Sequence, residues 1–98
     1  MNKAMQLIGL AMRAGKIVSG EELVLREVRS GRACLVLLAT DAAKNTEKKL
    51  TDKCSSYNVP ILRYGTRHEL GNAIGKAERV VLAVTEPGFA RSIQKLAQ

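Results

Sequence analysis

The chain has 98 residues, 46% of them hydrophobic, which suits one domain spanning residues 1–98 around a single core and leaves no room for a second. Sixteen Lys and Arg against nine Asp and Glu give a net charge of +7, which favours a polyanionic partner such as nucleic acid or an acidic membrane surface. No apolar run approaches the length needed to cross a bilayer, Cys34 and Cys54 lack a Cys-x-x-Cys arrangement, and His68 is the only histidine. These features argue against a membrane span, a zinc centre and a disulfide framework, and predict a folded cytoplasmic protein with two free thiols.

Taken in order, the chain alternates helices and strands. The N-terminal stretch superficially resembles a signal peptide because Lys3 precedes apolar residues, but Gln6 and Gly9 interrupt it. Ala4, Met5, Leu7, Ile8, Ala11 and Met12 instead form one face of an amphipathic helix over about residues 2–14. A short strand through residues 16–18 follows, then a helix over about 20–30 that Ser19 and Glu22, in Ser-x-x-Glu spacing, are expected to start as a capping box. The run CLVLLAT, residues 34–40, reads as a strand covered on both faces. Asp41 to Asn45 turns the chain into a third helix, Thr46 to Tyr57, and VPILRY, residues 59–64, forms a strand with Pro60 confined to its beginning. Thr66 and Glu69 predict a second capping box, leading a helix through Leu70 and Ile74. RVVLAV, residues 79–84, is a buried strand, and Thr85 is expected to cap a last helix through Phe89, Ile93 and Leu96. The predicted fold class is α/β, a three-layer α/β/α sandwich with a four-stranded sheet.

The second helix carries the most information. At 100° per residue, Val24, Leu25 and Val28 fall on one side, while Glu22, Leu23, Arg26, Arg29 and Ser30 fall on the other, so Leu23 is an apolar residue on a basic face. A helix N-terminus offers unpaired N–H groups and a positive dipole end, and Lys16, Arg26, Arg29 and Arg32 nearby make a phosphate-binding surface plausible. A solvated amphipathic helix accounts for the same pattern equally well.

Catalytic motifs are scarce. Gly71 to Ala77 resembles a phosphate loop but has three residues between its glycines and no following Ser or Thr. No Rossmann fingerprint occurs, no nucleophile has a histidine pair, and Asp41 and Asp52 lack a carboxylate partner. No enzyme, cofactor or metal is therefore expected. Tyr57, Tyr64 and Phe89 are too few for a base-stacking platform, so any RNA must be read through shape, phosphates and a few base edges.

The succession Gly20, Arg26, Gly31, then LVLLATDA, then Val59-Pro60 and Leu70-Gly71-Asn72-Ala73-Ile74-Gly75 closely resembles the kink-turn RNA-binding ribosomal protein family, in its small bacterial branch. The likeness runs from about Met5 to Leu96. It implies a non-catalytic protein that binds RNA bent sharply at a bulge beside sheared G·A pairs. By position, Gly20 permits close backbone approach, Glu21 lies in the same turn, Glu22 and Leu23 occupy the base-contacting positions, and Arg26 replaces a phosphate-binding lysine. Tyr64, Gly65, Thr66 and Arg67 match a second contact loop, and Lys16 precedes the helix as a backbone contact. Clear binders in the family have Asn-Glu or Lys-Gln where this chain has Glu22-Leu23, and Leu23 cannot hydrogen-bond a base edge. The expected partner is structured RNA, a kink-turn with ribosomal RNA among the candidates, and the chain is expected to act as a monomer. A ribosome or an acidic protein is a further candidate partner, and a protein-interaction module on the same scaffold is the alternative.

Overall fold

The computed structural model describes residues 2–98 and contains α1 (Lys3–Arg13), β1 (Ile17–Ser19), α2 (Glu21–Arg29), β2 (Leu35–Leu38) and α3 (Lys44–Ser56). These are followed by β3 (Ile61–Arg63), α4 (Arg67–Ala73), β4 (Val81–Val84) and α5 (Pro87–Ala97). The strands form one sheet in the order β1-β4-β2-β3. All four residues of β2 and of β4 are buried, which is why both read as uninterrupted apolar runs, whereas the edge strands β1 and β3 are only partly covered.

Successive side chains of the central strands enter opposite layers. Leu35, Leu37, Leu82 and Val84 pack with Met5, Ile8, Leu70 and Ile93 on the α1/α4/α5 side. Val36, Leu38, Val81 and Ala83 pack with Val24, Val28, Leu50 and Cys54 on the α2/α3 side. The predicted three layers are thus present. No helix among the described residues is long and apolar enough to cross a membrane.

Two predicted caps are not made. The start of α2 is Gly20, with no side-chain cap, so Ser19 and Glu22 form no capping box. Ser19 instead ends β1, and its Oγ accepts from Arg79 Nε at 3.4 Å. Thr85 does not cap α5 either, because its N–H and Oγ both donate to the Lys16 carbonyl, at 2.9 and 3.2 Å. The Glu86 carboxylate takes over and accepts from Phe89 N at 2.6 Å. The Thr66–Glu69 capping box does form, with both of its hydrogen bonds. Helix α3 begins at Lys44, two residues before the predicted start, and Pro60 lies just outside β3, its carbonyl accepting from Val36 N at 2.9 Å.

Both cysteines are free, Cys54 buried and Cys34 half-buried. Burial pushes the Cys54 thiol up from the ordinary 9.0 to about 11. The folded chain therefore keeps a proton that the unfolded chain releases. This stabilisation is complete below the ordinary thiol pKa and is lost as pH rises through the raised one. A thiol-reactive probe at neutral to mildly alkaline pH is expected to label Cys34 well ahead of Cys54. Equal labelling rates in the native protein would contradict the placement of Cys54 in the core.

Strand direction positions the site. β1 and β2 both run antiparallel to β4, and β2 is parallel to β3, so β1, β2 and β3 leave the sheet at the edge where β4 enters it. Gly20, Thr40–Asp41, Gly65–Arg67 and Arg79 therefore meet at one edge, joined by Gly20 N to Val81 O at 3.2 Å and Thr40 N to Gly65 O at 2.8 Å.

Candidate nucleic-acid interface

Gly20 has φ of 99°, left-handed backbone that other residues resist, although a Cβ there would meet no atom within 4 Å. The glycine thus serves the turn from β1 into α2 and leaves the helix start bare. The first α2 bond is Val24 N to Gly20 O at 2.9 Å, and no side chain caps the N–H groups of Glu21, Glu22 and Leu23. Unpaired donors at the positive end of a helix dipole are suited to an anion.

The outer face of α2 lies where the periodicity puts it. Val24, Leu25 and Val28 are buried, Glu22 and Arg26 are exposed, and Leu23 keeps 45% of its surface in solvent. Glu21, although acidic, does not stand alone at the helix start. Its carboxylate accepts from Lys49 Nζ at 2.9 Å, and that hydrogen bond lowers its pKa. Of the two carboxylates in this turn, Glu22 is the exposed one, open to an approaching phosphate.

The second loop is fastened along its backbone. Gly65 has φ of 74°, and its carbonyl accepts from Thr40 N and from Thr40 Oγ1, at 2.8 and 3.1 Å. Thr66 N donates to Glu69 Oε1 at 2.8 Å and Arg67 N to Asp41 Oδ1 at 2.9 Å, while Arg67 O accepts from Arg79 N at 3.0 Å. Tyr64 is half-buried against the α1/α4/α5 core. What this loop can offer a ligand is therefore chiefly the Arg67 guanidinium and one face of Tyr64.

Of the residues singled out from sequence, Gly20 and the first turn of α2, Glu21 to Leu23, share one sheet edge with Tyr64, Gly65, Thr66 and Arg67, and Arg26 lies further along α2 on its exposed face. Lys16 does not join them. It lies at the opposite end of β1, bonded through its carbonyl to Thr85 beyond the C-terminus of β4, about 13 Å of extended chain from Gly20. Three residues at this edge escaped the sequence reading: Arg79, Asp41 as a partner for Arg67, and Lys49 as a partner for Glu21. Arg79 bonds Ser19 and lines a cleft of about 380 Å³ with Gly20, Glu21, Thr46 and Glu78. Nothing local pairs residue 79 with residue 19, so no sequence signal announces that contact.

Residues 2–94 match the ribosomal protein L7Ae/L30e/S12e/Gadd45 family. The chain belongs to this family. It is 56% identical over 90 residues to the RNA-binding protein YlxQ of Bacillus subtilis, covering 92% of this chain and 90% of the relative. A solved structure of a protein of unknown function from Bacillus halodurans C superposes with a TM-score of 0.96 at 46% identity, over 99% of this chain and 98% of that one. The 15.5 kD RNA-binding protein of Giardia lamblia superposes with a TM-score of 0.80 at 25% identity, covering 94% and 82% of the two chains. The L7Ae-type family is non-enzymatic, in agreement with the lack of a catalytic motif in the sequence.

Proposed function

We propose that this L7Ae-type chain is a non-catalytic, cytoplasmic RNA-binding protein that recognises a kink-turn with the first turn of α2 and the Tyr64–Arg67 loop. The observation that carries the reading is the uncapped start of α2, with Arg26 on its outer face, at the same sheet edge as Arg67 and Arg79. Regular A-form RNA hides its bases in a deep, narrow major groove, whereas a sharp bend opens that groove to a helix end. The α2 N–H groups and Arg26 meet phosphates, Glu22 accepts from an exposed guanine amino group, and Leu23 packs against a base or sugar. The YlxQ and Giardia relatives, both RNA-binding proteins by name, support this reading. The RNA is a structured element such as one in ribosomal RNA, and the protein acts as a monomer. Lys16 stands outside this interface.

A binding titration with a kink-turn RNA and with the same RNA carrying disrupted G·A pairs tests the proposal. Strong preference for the intact kink is expected, and equal affinity for both would reduce the chain to a general polycation. Arg26→Ala is expected to weaken every competent RNA and to flatten the logarithmic salt dependence by about 0.7 to 0.9, the signature of one lost phosphate contact. An unchanged slope in a folded variant would remove Arg26 from the interface.

A second reading, docking of an acidic protein, is favoured by one observation, the exposure of Leu23 among arginines. Leu23→Gln separates the two. As a surface change it should leave stability within about 0.5 kcal/mol. Tighter kink-turn binding, through the restored base-edge donor and acceptor, is expected; loss of an acidic protein partner with RNA affinity unmoved would favour the protein interface.

A further inference from the structure

Parallel pairing of β2 with β3 brings the turn that follows β2 beside the first residue of α4, the helix that follows β3. Asp41 and Arg67, 26 positions apart, meet there. The Asp41 carboxylate accepts from Arg67 N at 2.9 Å and lies 3.5 Å from Arg67 Nε, while the Asp41 carbonyl accepts from Arg67 Nη2 at 2.6 Å. One residue thus holds the backbone, the Nε edge and one terminal nitrogen of the same arginine. The Asp41 side chain is 47% exposed and that of Arg67 35%, so the ion pair itself adds little to stability.

We propose that Asp41 is a positioning residue that sets specificity for bent RNA by fixing the Arg67 guanidinium and partly neutralising it. The inference rests on the kink-turn reading of this edge. A loose arginine adapts to any phosphate and strengthens binding to every RNA alike. An arginine held at Nη2 by the Asp41 carbonyl, with its Nε beside the Asp41 carboxylate, presents its remaining nitrogen in one direction. A phosphate arriving on another line meets the Asp41 charge. Discrimination then comes from penalising the wrong partner rather than from added attraction to the right one.

Asp41→Asn keeps an acceptor for Arg67 N and removes the charge. The full chain, Asp41→Asn, Arg67→Gln and the double variant would be titrated with a kink-turn RNA and with a plain duplex of equal length over a series of salt concentrations. Asp41→Asn is expected to tighten duplex binding roughly three- to tenfold at low salt and to steepen its salt slope by about 0.7 to 0.9, as one phosphate contact is gained. The kink-turn preference should fall by a similar factor. In the Arg67→Gln background, Asp41→Asn should leave that preference unchanged. An equal gain in duplex affinity in that background would make the effect one of net charge and overturn the proposal. So would an unchanged preference in the single variant, or its failure to fold, which would assign Asp41 to stability. A wild-type chain that binds both RNAs equally would instead overturn the kink-turn reading itself.

Discussion

Gly71→Ala is expected to cost about 3 kcal/mol or more, toward the upper end of what overpacking does in a tight interior. A Cβ at residue 71 would lie 2.0 Å from the Ala77 carbonyl oxygen, 2.7 Å from its carbon and 3.0 Å from Glu78 Cα. These are backbone atoms of the segment that returns from α4 to β4, so no rotamer change relieves the clash. The same segment leads directly to Arg79, whose N–H bonds Arg67 O at 3.0 Å, so displacing it also disturbs the candidate interface. Gly75→Ala provides the contrast. A Cβ there has no atom within 4 Å, but φ is 72°, and the left-handed backbone alone should cost about 1 to 2 kcal/mol. Urea denaturation reads both, as a lower midpoint at constant slope. A Gly71→Ala midpoint no lower than that of Gly75→Ala would contradict the close approach of α4 to the returning chain.

Leu50→Ala should be comparably severe, about 3 kcal/mol within the range for deleting a fully buried leucine. Helix α3 has 13 residues, yet only Leu50 and Cys54 are buried, so Leu50 is the main apolar anchor of an otherwise polar helix. Losing it leaves a cavity beside Val24 and Val28 and loosens the helix that carries Lys49 to Glu21. Lys49→Ala tests the second consequence separately. The exposed ion pair contributes little to stability, so the fold should hold while Glu21 loses the contact that lowers its pKa. If Leu50→Ala unfolds at the wild-type denaturant concentration, α3 is not docked through this residue.

The sequence by itself determined the elements, their burial and the facing of α2. Helical period and apolar runs depend on residues three or four apart or adjacent, so Val24, Leu25 and Val28 turn inward and Leu23 and Arg26 outward whatever the rest of the chain does. The Thr66–Glu69 box was legible for the same reason, both of its bonds being local. Order within the sheet was not. Placing β4 between β1 and β2 buries two apolar faces at once, and that choice is made only when all the layers assemble. It then decides the local competitions. Ser19 meets Arg79 instead of capping α2, and Thr85 is drawn to Lys16, leaving the α5 cap to Glu86. It also separates Lys16 from the interface and brings Asp41 to Arg67 across 26 residues. A polar side chain bonds whichever partner the assembled backbone places within reach, and partners distant in sequence leave no periodic trace in the chain.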